Sequence, residues 1–210
     1  MGDCGPLPLI DGDAVILAGG RSSRMGTDKA LLEVGGVSLL ERLISELRRV
    51  FRRVHLSIDP ARPYPRIDAP RIPDHVPGRG PLEGVRAALE SLRAPALFAA
   101  VDLPVFSPYL AQALWTEGTV EGRRGAVPRW AGGLEPAFAV YGPDLLESIR
   151  LFLDEGQREL RRIAALPGVM VLDLEDERTR RRIFPGSPPD PGKLFRNLNT
   201  PADLRTFRET

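Results

Sequence analysis

Two adjacent glycines, Gly19 and Gly20, and three cations, Arg21, Arg24 and Lys29, crowd into one short stretch behind the apolar run Ala14-Val15-Ile16-Leu17. Glycine lacks a Cβ, so the chain can turn sharply there and bring its N–H groups close to an anion. Backbone donors with fixed cations beside them are how a protein grips a polyphosphate. A second feature is Asp102, directly after the apolar run Ala96-Leu97-Phe98-Ala99-Ala100-Val101. A carboxylate at the end of a buried strand can hold Mg²⁺, which takes one or two protein oxygens and fills its shell with phosphate oxygens and water. The third is the stretch from Asp74 to Pro81, where Gly78-Arg79-Gly80-Pro81 makes another tight, donor-rich turn. Brought to one sheet edge, these three loops would form a nucleoside triphosphate–magnesium site.

Two commoner phosphate sites are excluded. The opening loop does not fit Gly-x-x-x-x-Gly-Lys-Ser/Thr, and it is not the Gly-x-Gly-x-x-Gly dinucleotide fingerprint. ATP hydrolysis and hydride transfer are therefore demoted.

The elements that must position these loops follow from hydrophobic patterning. Asp13 to Leu17 reads as a first strand, buried on both faces of a parallel sheet. Ala30 to Val34 reads as a short extended piece ending at Gly35-Gly36. Ser38-Leu39-Leu40-Glu41 is a capping box, and Leu39, Leu40, Leu43, Ile44, Leu47 and Val50 share one helical face. Val54 to Ile58 reads as a second strand, with His55 an outward or half-buried strand residue. Pro81 suits the first turn of a helix carrying Leu82, Val85, Ala88, Leu89 and Leu92. Ala96 to Val101 is the next strand, and Ser107-Pro108 caps a helix through Leu114 and Trp115. Strands over Gly125–Pro128 and Ala137–Tyr141 flank the loop Arg129 to Glu135. Helices follow over Pro143–Leu153 and Arg158–Leu166, then a last strand over Val169–Leu172. Glu175 to Lys193 reads as a polar, Pro/Gly-rich surface insertion with Arg178, Arg180, Arg181 and Arg182 as a solvated charge run. Thr200 caps a closing helix. The early alternation of strand and helix predicts an α/β fold with a mostly parallel sheet and helices on both faces; the later hairpin predicts an antiparallel addition in the C-terminal half.

Composition sets the outer limits. At 210 residues with 42% hydrophobic and 27% charged content, the chain supports one real core. Residues 1–12 read as a flexible N-terminal tail and 13–210 as one domain, with a nucleotide half to about residue 105 and an acceptor half after it. A net charge of +1 gives no argument for a nucleic-acid or membrane partner. The only cysteine, Cys4, has no partner for a disulfide and no zinc-type companions. No apolar run approaches the ~20 residues of a membrane span, and the first residues do not read as a signal peptide, so a cytoplasmic location is expected.

The run Leu17-Ala18-Gly19-Gly20-Arg21-Ser22-Ser23-Arg24-Met25-Gly26-Thr27-Asp28-Lys29-Ala30-Leu31-Leu32 resembles the signature of the MobA-like nucleotidyltransferases. Gly80-Pro81-Leu82-Glu83-Gly84, Val101-Asp102-Leu103-Pro104 and Asn197-Leu198-Asn199-Thr200-Pro201-Ala202-Asp203-Leu204 continue the resemblance in order. The last of these is similar to the molybdenum cofactor guanylyltransferase branch. The resemblance implies a Rossmann-like three-layer α/β/α sandwich. It also implies transfer of GMP from GTP to molybdopterin-bound molybdenum, with release of pyrophosphate and Mg²⁺ as cofactor. Leu17, Ala18, Gly19, Gly20, Lys29 and Asp74 would then contact GTP, and Asp102 would contact both GTP and the metal. A further nucleotide contact would come from Ser57 or Asp59. Asn197 and Asn199 would line the acceptor side. Transient contacts with cofactor-biosynthesis proteins or molybdoenzymes also follow from the resemblance.

The nucleophile of such a reaction is a phosphate already anionic, so no Ser, Cys or His nucleophile is required. Catalysis rests on alignment and on charge stabilisation, with Arg24 and Lys29 on the triphosphate. A related cytidylyltransferase, acting on molybdopterin or on an isoprenoid or sugar phosphate, would share the same loop and Asp102. A nucleotide-binding adaptor without chemistry is the remaining alternative, disfavoured because simple binding needs no metal-aligned cations.

Overall fold

Strand β1 (Ile10–Leu17) is the axis of the molecule, flanked on both sides by parallel neighbours and buried at six of its last six positions, Gly12 to Leu17. The computed structural model describes residues 7–18, 29–61, 64, 66–103, 106–131, 133–186 and 189–195. The strand starts three residues ahead of the expected Asp13, because Ile10 is buried and its N–H donates to the Val50 carbonyl at 2.8 Å. Asp11 and Gly12 disguise that start. A Cβ on Gly12 would stand 2.4 Å from the Trp115 ring, so only glycine lets the indole pack there and meet Phe51 edge-on at 5.5 Å.

After a 3-10 turn (Lys29–Leu31), the small hairpin β2 (Glu33–Val34) and β3 (Val37–Ser38) leads into helix α1 (Leu39–Arg48). The capping box is present: Ser38 Oγ accepts from Glu41 N at 3.2 Å, and Glu41 Oε2 accepts from Ser38 N at 3.1 Å. Strand β4 (Phe51–Ile58), strand β5 (Arg71–Pro73), helix α2 (Pro81–Leu92), strand β6 (Ala96–Ala100) and helix α3 (Pro108–Gly118) complete the first half. The second half runs through β7 (Gly125–Trp130), β8 (Gly133–Leu134), β9 (Phe138–Tyr141), α4 (Leu146–Asp154), α5 (Arg161–Ala164) and β10 (Val169–Asp173).

The sheet order is β10-β7-β9-β6-β1-β4-β5, with β8 paired to β7. The pairs β10–β7, β6–β1, β1–β4 and β4–β5 are parallel, whereas β9 runs antiparallel to both β6 and β7. The expected antiparallel addition is therefore an internal strand. Alternate residues feed two cores. Ala14, Ile16, Leu56 and Leu97 pack with α1 and α3 on one face; Val15, Leu17, Phe98 and Tyr141 pack with α2, α4 and α5 on the other. This is the three-layer α/β/α arrangement that the strand–helix alternation predicts.

The stretch 175–193 departs from its expected surface loop. Asp176 caps helix α6 (Glu177–Ile183) by accepting from Thr179 N at 2.9 Å. Ile183 and Phe184 enter the core, as do Leu194 and Phe195 around the short helix α7 (Pro191–Leu194). The arginine run lies on α6; Arg181 pairs with Glu177 at 2.6 Å and Arg182 with Glu117 at 3.1 Å. Among the described residues no helix is long and apolar enough to cross a membrane.

His55 is half-buried, the second of its two expected placements. Its Nε2 lies 2.8 Å from Asp13 Oδ1, beside Arg53 Nε at 2.9 Å. Burial works against the charge on Asp13, but the hydrogen bonds from Arg53 and His55 outweigh it and leave the carboxyl below its ordinary range.

Candidate active site

The strands β1, β4, β5 and β6 all end at the same edge. The chain moves outward from β1 to β4 and β5, then returns through α2 to place β6 on the other flank of β1. Such a reversal opens a crevice beyond the carboxyl ends of the strands, where open α/β sheets bind ligands. Leu17 pairs with Ser57 on one side and Ala100 on the other. The loop leaving β1 therefore starts between the chain leading to Asp59 and the chain leading to Asp102. Leu17, Ala18 and Asp102 come together as the sequence predicts, with Asp74 on the β5 flank. Gly19, Gly20, Arg24, Asn197 and Asn199 lie outside the described residues; of Lys29, the backbone opens the 3-10 turn.

The start of the loop is fastened from two directions. Ala18 N donates to the Ser57 carbonyl at 3.0 Å, and the Tyr64 hydroxyl donates to the Ala18 carbonyl at 3.1 Å. Tyr64 is buried with a left-handed backbone (φ 43°), which a non-glycine residue adopts only when its surroundings enforce it. Arg71 contributes, donating to the carbonyls of Tyr64 and Ile67, both at 2.8 Å. Tyr64 sits in a proline-dense stretch without periodicity, and sequence reasoning missed it.

Beside this anchor lies an acidic pocket. Asp74 N donates to the Ile58 carbonyl at 2.9 Å, which fixes the residue directly after β5 against the end of β4. The residue is 6% exposed and its carboxyl is pushed up to about 7, first by burial and then by the charges of Glu83 and Asp59. Ser57 Oγ donates to Asp74 Oδ1 at 3.4 Å and relieves part of that penalty. Gly84 is what makes room: a Cβ there would lie 2.3 Å from Ser57 Oγ and 3.5 Å from Asp74 Oδ1. Ser57 is thus sealed beneath α2 at 2% exposure, whereas Asp59 is half-buried at the edge. Of the two expected alternatives, Asp59 is the one open to a ligand. Its Oδ1 accepts from Ala61 N at 2.9 Å.

Glu83, fully buried, ties the turn before α2 together. Its Oε1 accepts from Val76 N at 3.1 Å, and Arg86 pairs with both of its oxygens at 2.5 and 3.0 Å. Gly78 and Gly80 take φ of 75° and 80°, a conformation that favours glycine and creates the sharp turn read from the sequence. Arg158, from the second half, donates to the Gly78 carbonyl at 3.2 Å and steadies the turn from outside.

Across the crevice stands Glu135, which sequence reasoning did not single out. It lies three residues before β9, and its N–H donates to the Pro128 carbonyl at 2.9 Å. Burial raises its carboxyl above the ordinary range and the Asp102 charge adds to the rise, while the nearby Trp130 indole and, more weakly, Arg161 lower it. Trp130 in turn stacks on Phe195 at 6.3 Å, just upstream of the Asn197–Asn199 motif. Among the described residues no group of three or more His, Cys, Asp or Glu side chains forms a metal cage. A single carboxylate such as Asp102 at this edge could hold a hard cation only if the cation shared its shell with phosphate oxygens and water.

This geometry has relatives. Residues 14–171 match the model of the MobA-like NTP transferase domain. A probable molybdenum cofactor guanylyltransferase of Pelotomaculum thermopropionicum is 36% identical over 197 residues, covering 93% of this chain and 91% of the relative. A molybdenum cofactor guanylyltransferase of Rhizobium meliloti is 36% identical over 203 residues, covering 91% and 88%. In three dimensions the chain is similar to molybdopterin-guanine dinucleotide biosynthesis protein A from Archaeoglobus fulgidus, with a TM-score of 0.79 at 23% identity over 94% of this chain and 97% of that one. With its crevice at the sheet reversal, its anchored loop and a match running from β1 into β10, the chain belongs to the MobA-like NTP transferase family.

Proposed function

We infer that this chain is a molybdenum cofactor guanylyltransferase: it transfers GMP from GTP to the terminal phosphate of molybdopterin-bound molybdenum, giving the guanine dinucleotide form and pyrophosphate. The observation that carries this reading is the 36% identity, over more than nine-tenths of the chain, to proteins named for that activity. In the reaction, an oxygen of the acceptor phosphate attacks the α-phosphorus of GTP. The bond from that phosphorus to the β-phosphate oxygen breaks, and pyrophosphate leaves with the electron pair.

The residues divide the work between the two halves of the crevice, the nucleotide half to about residue 105 and the acceptor half beyond it. Leu17, Ala18, Gly19 and Gly20 present backbone to the phosphates, and Arg24 and Lys29 neutralise the triphosphate. Asp74, beside Gly84, and Asp59, whose charge reaches Asp74, hold the nucleoside side. Asp102 holds Mg²⁺, which when bound neutralises charge on the reacting phosphates. Asn197 and Asn199 bind the acceptor. A cytoplasmic setting and brief contacts with the proteins that supply or receive the cofactor complete the proposal.

The test is pyrophosphate release from each of the four nucleoside triphosphates with Mg²⁺ and molybdopterin-bound molybdenum. GTP should be strongly preferred. Preference for CTP, or no pyrophosphate from any of them, would overturn the assignment.

A further inference from the structure

We propose that Tyr64 and Arg71 form a positioning unit for the triphosphate: Arg71 sets the backbone around Tyr64, and the Tyr64 hydroxyl sets the peptide from which the phosphate loop departs. The proposal rests on the nucleotidyl-transfer reading above. It adds two residues that touch no substrate and a division of labour, in which they act on phosphate binding and not on nucleoside binding.

Ala18 directly precedes Gly19-Gly20. A peptide group is planar, so holding one of its polar atoms fixes the whole group. The group ahead of the Ala18 Cα is held at its N–H, which donates to the Ser57 carbonyl at 3.0 Å. The group after it is held at its carbonyl, which accepts from the Tyr64 hydroxyl at 3.1 Å. Both backbone rotations of Ala18 are therefore set, and with them the heading of the chain as it leaves β1. A loop that grips phosphate through backbone N–H groups depends on that heading, because donors aligned in advance need no reorganisation when the ligand arrives.

Strand β4 ends at Ile58, and the chain turns there: Ala61 N donates to Asp59 Oδ1 at 2.9 Å, and Pro60 has no N–H to offer. Tyr64 then brings its side chain back to Ala18. It stands between Pro63 and Pro65, and a residue ahead of a proline is normally extended, yet its φ is 43°. Among the described residues Arg93 alone shares a positive φ without being glycine, and Arg93 closes helix α2, where left-handed residues are common. Tyr64 closes no helix. Such a conformation persists where the surroundings enforce it. Arg71 is the enforcing group. From β5, paired with Leu56 of β4, its Nη2 donates to the Tyr64 and Ile67 carbonyls, both at 2.8 Å. Ile67 N closes the same turn onto the Tyr64 carbonyl at 3.1 Å, and Ile67 and Ala69 are buried with it.

The unit and the nucleoside side lie on opposite faces of the sheet. Tyr64, Ile67 and Ala69 belong to the core shared with α1 and α3. Asp74 lies under α2, its Oδ1 3.5 Å from where a Cβ on Gly84 would stand. A change at Tyr64 therefore reaches the phosphate loop without passing through the Asp74 pocket.

Calorimetric titration of the full chain with GTP and Mg²⁺, and competition of that binding by inorganic tripolyphosphate and by guanosine, tests this. Tyr64→Phe should weaken GTP and tripolyphosphate by about two- to tenfold, the scale of one hydrogen bond, and leave guanosine unchanged. Arg71→Lys should show the same pattern, because an ammonium lacks the rigid fork that holds two carbonyls in one geometry. The double variant should bind like Tyr64→Phe alone, since residues that act through one hydroxyl do not add. Because Tyr64→Phe keeps the packed ring, its result decides the matter even where Arg71→Lys lowers the unfolding temperature. Equal losses for guanosine and tripolyphosphate would mark a general loosening and overturn the proposal. Unchanged tripolyphosphate binding in Tyr64→Phe, additive losses in the double variant, or a parent from which tripolyphosphate displaces no GTP would overturn it as well. The guanylyltransferase reading survives each of those results; a parent that binds no GTP with Mg²⁺ would take both down together.

Discussion

Asp74→Asn should make the protein more stable at pH 8 and a poorer enzyme at the same time. The carboxyl rises from its ordinary 3.8 to about 7 in the fold, chiefly through burial and then through Glu83 and Asp59. The sign follows from linkage. Below pH 4 the group is protonated in both folded and unfolded chains and has no effect. Between about pH 4 and 7 the unfolded chain loses its proton while the folded one keeps it, so stability falls as pH rises; above 7 the penalty is constant. At roughly 1.4 kcal/mol per tenfold change in proton affinity, the penalty reaches at most about 4 kcal/mol, and relaxation of the pocket makes about 2–4 the fair range. Asparagine is nearly isosteric and carries no charge, so it removes that penalty. Urea unfolding at pH 5 and pH 8 is the assay. The variant should gain about 2–4 kcal/mol over the parent at pH 8 and much less at pH 5, while its KM for GTP rises. Equal gains at both pH values, or a loss at pH 8, would refute the account of Asp74 as a buried, charge-penalised carboxyl.

Other perturbations probe the framework around it. Gly84→Ala drives a methyl to 2.3 Å from Ser57 Oγ and should cost about 1–3 kcal/mol in urea unfolding; adding Ser57→Ala removes the closest atom and should recover much of the loss. Tyr64→Phe deletes the hydrogen bond to the Ala18 carbonyl; it should cost about 1 kcal/mol of stability and raise the KM for GTP, because the start of the proposed GTP-binding loop loses one of its two fastenings. Lys29→Ala should slow turnover by about 10²–10³ with little change in unfolding temperature, and unchanged turnover would remove Lys29 from the triphosphate.

Much of this architecture could be read from the chain before any coordinates. The apolar run into β1, the Ser38–Glu41 box and Pro81 at the head of α2 are local signals with local causes, and the structure contains each of them. Convergence of Leu17, Ala18 and Asp102 also followed, because a strand–helix alternation leaves few ways to order parallel strands. What escaped depends on contacts distant in sequence. Tyr64 matters only because β4 brings its hydroxyl to Ala18, and nothing around it is periodic. Helix α6 was hidden differently: four arginines in five positions mask an amphipathic turn whose cap, Asp176, and apolar end, Ile183-Phe184, were both in view.

Strand β9 has a mechanical consequence. Because it is hydrogen-bonded to β6 on one side and β7 on the other, the two halves of the crevice share one unbroken ladder. Swinging the halves apart about a hinge would tear that ladder, so large opening and closing cannot be how this molecule admits its two substrates. The span between the two floors of the crevice is then a fixed gauge, set during folding, against which both reacting phosphates are measured.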